Sequence, residues 1–270
     1  MTDVSQTGAS NSGFPKAPQP ILEARGINKT YGHVEALREA NFSAYAGEVV
    51  ALIGDNGAGK STLIKLLSGV AQPDNGQILF EGRPVHIGSP SAAQRLGIET
   101  VYQDLALAPD LDGAANVYLG REPVRSGVLG KLGVLDKRAM REQTLHTFTD
   151  LGVGIRDPSA AVAYLSGGQR QGVAVARATV WASKVIIMDE PTAALGVVQS
   201  ERVLDILRRV RARGLAVVLV SHNMPQVLEV ADRIQVLRLG RRVATFARDQ
   251  ATLESLVAAM TGALQNEDER

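Results

Sequence analysis

The sequence predicts an α/β fold with buried parallel strands at its centre, and three observations carry that expectation. The apolar run Val49-Val50-Ala51-Leu52-Ile53 leads into Gly54-Asp55-Asn56-Gly57-Ala58-Gly59-Lys60-Ser61-Thr62. Leu63, Ile64, Leu66 and Leu67 follow before Gly69, giving strand, glycine-rich turn and helix in succession. Two further runs, Val185-Ile186-Ile187-Met188 and residues 215–220, are apolar at every position, as strands covered on both faces are. Between them Val203, Leu204, Ile206, Leu207 and Val210 form an apolar stripe at helical spacing.

The composition narrows the function classes. The chain has 270 residues, 45% of them apolar, and a formal net charge of +1, so it buries a real core and no global field draws nucleic acid. It has no cysteine, which excludes disulfides, thiolate metal sites and cysteine catalysis and is compatible with a reducing cytosol. The four histidines, His33, His86, His146 and His222, lack zinc-type spacing. No apolar run approaches the roughly 20 residues that span a bilayer. No signal-peptide pattern opens the chain, so membrane association is expected through a partner.

In chain order, residues 1–20 are rich in Ser, Gly, Pro, Gln and Asn and read as a disordered tail. Ile21-Leu22-Glu23-Ala24 and Ala40-Asn41-Phe42-Ser43-Ala44 read as strands of an antiparallel sheet, with Tyr31 at a turn between them, placed either to stack on a base or to pack on the core. Pro73-Asp74-Asn75-Gly76 and Gly82-Arg83-Pro84 read as turns flanking a strand over 77–81. Ser89 caps a short helix that Gly97 ends, and the strand over 98–102 delivers Gln103 at its tip. Residues 104 to about 180 are helix-rich and read as an insertion; Asp136 caps a segment in which Leu145, Phe148 and Leu151 repeat at helical spacing. Leu165-Ser166-Gly167-Gly168-Gln169 opens a helix of small residues, and its two glycines again offer backbone N–H groups to an anion. Arg202, Arg208, Arg209, Arg211 and Arg213 cover much of the helix before Gly214 and read as a solvated face. Residues 234–239 and 243–246 read as a closing hairpin. Thr252 caps a last helix with Leu253, Leu256, Val257 and Met260, and a charged tail follows over 263–270.

The chemistry follows from these placements. Glycines 54, 57 and 59 let backbone N–H groups turn inward, and the helix adds its positive end, so residues 54–62 suit a phosphate chain. Lys60 would reach the β- and γ-phosphates, and the Ser61 hydroxyl would hold Mg²⁺. Asp189 and Glu190 end a buried strand, where open α/β sheets place their ligands. Asp189 is the candidate metal ligand beside Ser61, and Glu190 the candidate to orient or deprotonate the attacking water. His222 stands at the tip of the next apolar run, a candidate γ-phosphate contact.

With the phosphate loop, Gln103, residues 165–169, Asp189-Glu190 and His222 in this order, the chain resembles the ATPase subunits of ABC transporters over roughly residues 21–262. The resemblance implies a P-loop NTPase fold: a RecA-like core, an antiparallel β-subdomain and an inserted helical subdomain over about 104–180. It implies that ATP and Mg²⁺ bind, that Tyr31 stacks on adenine, and that Gln103 senses Mg²⁺ and the attacking water. Ser166, Gly167, Gly168 and Gln169 would reach the γ-phosphate held by a second copy in a head-to-tail homodimer. Glu190 is then the general base and His222 the switch histidine. One departure stands out. Where the family carries Leu-Asp, this chain has Leu195-Gly196 after Ala193-Ala194, so the aspartate across the interface is missing.

Gly54-Asp55-Asn56-Gly57-Ala58-Gly59-Lys60, Asn116-Val117-Tyr118-Leu119-Gly120-Arg121, Ala193-Ala194-Leu195-Gly196 and Ser221-His222-Asn223-Met224 are most similar to carbohydrate importers of the ribose, xylose and fructose type. That implies a peripheral subunit on the cytoplasmic face of the cell membrane. Its partners would be permease subunits and, indirectly, a periplasmic sugar-binding protein, not nucleic acid. Many such importers fuse two ATPase halves; this chain carries one, so it is expected to pair with itself. The competing expectations are an exporter subunit, a non-transport ATPase acting on nucleic acid or ribosomes, and a nucleotide-binding regulator without turnover.

Overall fold

The computed structural model describes residues 19–263 except 156 and 194; the tail readings over 1–18 and 264–270 lie outside the described residues. The chain opens with a long antiparallel hairpin, β1 (Leu22–Tyr31) and β2 (Val34–Ala44), extended well beyond the two short strands expected from the apolar alternation. Register shifts between Ala24 and Thr30 break that alternation, which is why the middle of the hairpin does not read as strand. Tyr31 is the last residue of β1 and lies at the tip of the hairpin, 46% exposed, rather than in the turn itself.

Next come β3 (Val49–Ile53), α1 (Lys60–Leu67), β4 (Asn75–Phe80) and β5 (Arg83–Val85). Both expected turns here are shorter than Gly and Pro suggested. Asn75 and Gly76 already belong to β4, and Arg83 and Pro84 form a short edge strand, the one setting in a sheet where proline's missing N–H costs nothing. Ser89 caps α2 (Pro90–Arg95) by accepting from the Ala92 N–H, and β6 (Ile98–Val101) follows.

The middle of the chain holds α3 (Gly113–Tyr118), α4 (Val128–Lys131), α5 (Lys137–Leu151) and α6 (Gly167–Trp181). Asp136 caps α5 as expected, but the buried stripe is Met140, Thr144, Thr147, Phe148 and Leu151, and Leu145 lies on its exposed edge. The chain then returns through β7 (Val185–Asp189), α7 (Val197–Ala212), β8 (Ala216–Val220), α8 (Met224–Val230), β9 (Arg233–Arg238), β10 (Arg241–Ala247) and α9 (Leu253–Thr261). In α9 the capping threonine is as expected, while Leu253 and Val257 face outward and Leu256, Ala259 and Met260 inward. The arginines of α7 are tied as well as solvated. Arg208 pairs with Asp205 and Glu229, Arg211 with Asp232, and Arg213 with Asp150.

The strands form a four-stranded sheet ordered β2-β1-β4-β5 and a six-stranded sheet ordered β10-β9-β3-β8-β7-β6. In the second, β9, β3, β8, β7 and β6 are mutually parallel, and β10 closes it antiparallel. The parallel sheet separates two cores. Val49, Ala51 and Ile53 of β3, Ile186 and Met188 of β7, and Val217 and Leu219 of β8 face α6, α7 and α9. Val50, Leu52, Val185, Ile187, Ala216, Val218 and Val220 face α1 and the antiparallel sheet. Burial on both faces explains the unbroken apolar runs, and parallel order brings the C-terminal tips of β3, β8, β7 and β6 to one edge.

Candidate active site

At that edge β3 ends in Ile53 and the chain turns through residues 54–59 into α1. Gly54 and Gly59 take φ of +154° and +103°. A methyl group would lie 2.2 Å from the Leu237 carbonyl oxygen at the first and 2.6 Å from the Ala36 carbonyl oxygen at the second, so only glycine fits. Gly57, at φ +81°, faces open space. The loop is anchored below: the Ala58 N–H donates to Asp55 O at 3.0 Å, and the Gly240 N–H donates to Ala58 O at 3.0 Å. Gly59 stands at the N-cap of α1 and supplies no side-chain acceptor, so the first turn of that helix keeps its N–H groups available for a ligand. Lys60 Nζ arches back to donate to Gly54 O at 2.7 Å and Asp55 O at 3.0 Å. Burial pushes its pKa down, against the pull of Glu190, Asp55 and Asp189.

Asp189 ends β7 opposite Val220 of β8. Burial raises its pKa and Glu190 adds to the rise, with Lys60 and Lys65 opposing. Glu190 takes a left-handed backbone, φ +52°, and donates its N–H to Val220 O at 3.0 Å. For a non-glycine residue that conformation costs about 1–2 kcal/mol, and strain of this kind concentrates where a side chain must be aimed. The Glu190 side chain is 15% exposed, and its Oε2 lies 2.8 Å from His222 Nδ1. Ser221 is buried beneath, its Oγ accepting from the Asn223 N–H at 3.1 Å, and Asn223 in turn caps α8. Sequence reasoning missed one bond here: Thr192 Oγ1 donates to Gln226 Oε1 at 2.7 Å, tying the loop after Glu190 to the helix after His222. Complementary polar side chains two and four residues beyond the named pair are the only trace of it in the sequence.

Gln103 follows β6, beside β7, with its side chain exposed. Tyr31 tops the hairpin whose Ala36 carbonyl lies against Gly59, and Lys29 Nζ stands 5.4 Å from its ring. Ser166 caps α6: its Oγ accepts from the Gln169 N–H at 3.3 Å, and Gln169 Oε1 accepts from the Ser166 N–H at 2.9 Å. Gln169 Nε2 donates to Gly154 O at 2.8 Å, and Gly167 and Gly168 pack against Leu195 and Gln199. None of these bonds reaches residues 54–62. The loop, Asp189, Glu190 and His222 therefore form one locus, and residues 166–169 a separate one.

A family model described as ABC transporter matches residues 37–193. The chain belongs to the ABC transporter family. This ABC chain is 55% identical over 249 residues to the fructose import ATP-binding protein FrcA of Rhizobium meliloti, covering 92% of this chain and 96% of that one. It is 46% identical to the xylose/arabinose import ATP-binding protein XylG of Sulfolobus acidocaldarius, covering 89% and 94%. Its fold is that of a nucleotide-free ATP-binding cassette from an ABC transporter, with a TM-score of 0.76 at 24% identity over 89% of this chain and 98% of that one. No helix among the described residues is long and apolar enough to cross a membrane.

Proposed function

We propose that the chain is the ATP-binding and ATP-hydrolysing subunit of an ABC importer, coupling hydrolysis to sugar uptake through a membrane permease. The observation that carries this reading is the meeting of residues 54–62, Asp189 and the Glu190–His222 pair on one edge of a parallel sheet. The import names of the similar proteins support sugar as the cargo. In this reading the chain is peripheral to the cytoplasmic face of the membrane. The permease and a periplasmic binding protein choose the sugar, and nucleic acid has no part. Residues 21–262 are the ATPase domain, and about 104–180 its helical subdomain.

The N–H groups of the loop and of the first turn of α1, with Lys60, hold the β- and γ-phosphates, and Tyr31 stacks on adenine. Ser61, Asp189 and Gln103 would hold Mg²⁺. Their donors are all oxygen, and no group of three or more His, Cys, Asp or Glu that could by itself hold a metal ion is present among the described residues. Both facts fit an ion that keeps waters and phosphate oxygens rather than a protein cage. When bound, it neutralises charge on the transferring phosphoryl group. His222 donates from Nδ1 to Glu190 Oε2, which fixes the carboxylate and leaves Oε1 to orient the attacking water and take its proton. Residues 166–169, remote from the loop of their own chain, reach the γ-phosphate of a second copy, so hydrolysis waits on closure of a homodimer.

Turnover of Mg-ATP by wild type and Glu190→Gln tests the reading. Wild type turns over and the variant loses roughly 10²–10⁴-fold in kcat while still binding nucleotide. Equal, near-zero rates in both would overturn hydrolysis, and retention of the chain on nucleic acid at moderate salt instead of by its permease would overturn transport.

A further inference from the structure

The strand that delivers Gln103 is followed by two consecutive non-glycine residues in left-handed backbone, Leu105 at φ +59° and Ala106 at φ +45°. L-residues leave that region unless something holds them there. One guanidinium grips both carbonyls: Arg177 donates from Nη2 to Leu105 O at 2.8 Å and from Nη1 to Ala106 O at 2.7 Å, beside the turn bond from the Leu105 N–H to Tyr102 O at 3.0 Å. The planar fork of arginine suits two adjacent carbonyls in a way no other side chain does. Burial lowers the Arg177 pKa and Glu99 on β6 opposes that, so the fork is a partly desolvated cation facing the strand that carries Gln103.

One helical turn further along α6, Trp181 donates from Nε1 to Val117 O at 2.9 Å, and Arg121 stacks over its ring at 4.8 Å while pairing with Glu99 at 2.8 Å. The helix that begins at Ser166 is thus bound at its far end to both sides of the segment after Gln103. Ser166 and Arg177 are eleven residues apart, about 16 Å along one rigid helix.

We propose that Arg177 is a positioning residue for Gln103: it locks the left-handed backbone at Leu105 and Ala106 and so makes the Gln103 loop move with α6. The assignment rests on the ATPase reading above and adds to it a mechanical link between residues 166–169 and the loop, within one chain.

Steady-state turnover of the full chain tests the assignment, with Arg177→Ala and Arg177→Lys each made alone and with Gln103→Ala, and with binding of a fluorescent ATP analogue measured in parallel. Arg177→Ala lowers kcat roughly tenfold with KM and analogue affinity held within about twofold. Arg177→Lys, which keeps the charge but reaches one carbonyl, falls between. On the Gln103→Ala background the further loss shrinks to less than about twofold, because Arg177 acts through that loop. Equal losses on both backgrounds, or loss of analogue binding along with kcat, would overturn the positioning role. If Arg177→Ala does not fold, the lysine variant alone decides by the same comparison. A wild type without turnover would overturn the ATPase reading and this assignment with it; turnover in wild type with additive losses overturns the assignment alone.

Discussion

Among the helices that start at glycines, α1 and α6 begin differently. α1 starts at Gly59 with no side-chain cap, on a loop wedged between Leu237 and Ala36, with a half-buried ammonium folded over it. α6 starts at Ser166 inside a capping box, where Ser166 and Gln169 satisfy one another and Gln169 also holds Gly154. The first start has unspent N–H groups and a partly desolvated cation. The second has used its polar groups on itself and stands exposed. In the proposed reading the first is an anion site within a single chain, whereas the second serves a partner's ligand and would exchange its local bonds to do so. The same composition, two glycines near a helix N-terminus, gives opposite outcomes because one cap residue has a side chain and the other does not.

Removing the cation should show the contrast most strongly. Lys60→Met should weaken nucleotide binding by roughly 10–100-fold, the worth of a hydrogen-bonded charge on phosphate. Its effect on folding has the opposite sign. Burial lowers the Lys60 pKa, so the ammonium is disfavoured by the fold at neutral pH; that cost begins to fall as pH rises through the lowered folded value and is gone only above the ordinary 10.5. Without added nucleotide the variant should therefore melt no lower than wild type. Melting in a thermal shift assay checks this, and binding undiminished by the substitution would break the distinction between the two starts.

How far the sequence revealed these sites follows from how local each one is. The loop over 54–62 is legible because strand, glycines, lysine and helix are adjacent in the chain and the backbone geometry demands those residues in that order. The parallel strands are legible because burial on both faces leaves no polar position in Val185-Ile186-Ile187-Met188. The meeting of Glu190 with His222 depends on β7 and β8 being neighbours, which no spacing states. The Thr192–Gln226 bond and the grip of Arg177 on Leu105 and Ala106 are less visible still, since each joins a side chain to a distant partner whose type is common. Leu145 misled because a repeat of three apolar residues fits a stripe whose true members include Thr144 and Thr147.

Ser166→Ala sharpens the comparison from the other side. Loss of the cap should cost about 1 kcal/mol, or a melting temperature lower by about 2–4 °C. Nucleotide binding to dilute, monomeric chain should stay unchanged, because the hydrogen bonds of Ser166 and Gln169 run to each other and to Gly154 rather than to the loop. A loss of binding as large as that in Lys60→Met would mean the two starts serve one pocket.

Asp189→Asn gives a smaller effect with a fixed sign. Burial and Glu190 raise the Asp189 pKa above its ordinary 3.8. Its contribution to stability is present below pH 3.8 and is lost as pH rises through the raised folded value. The asparagine variant should match wild type in acid and exceed it in stability near neutral pH. The difference between the two denaturant-melting curves across pH is the reading, and a difference that does not vary with pH would remove burial as the cause.

The smallest change concerns another glycine start, that of α7. α7 begins at Gly196, whose φ of −71° and ψ of 169° any residue can adopt, and a methyl there meets only the end of the flexible Gln199 side chain, at 2.8 Å. An aspartate at that cap should gain a few tenths of a kcal/mol, about 1 °C in melting temperature. The backbone thus leaves room for a carboxylate that the sequence does not supply, beside the Gly167 and Gly168 end of α6. If Gly196→Asp stabilises the chain and leaves turnover unchanged, the interface works through α6 alone. If turnover also rises, the carboxylate acts across the interface, and the self-satisfied cap of α6 is only part of what a partner's ligand meets.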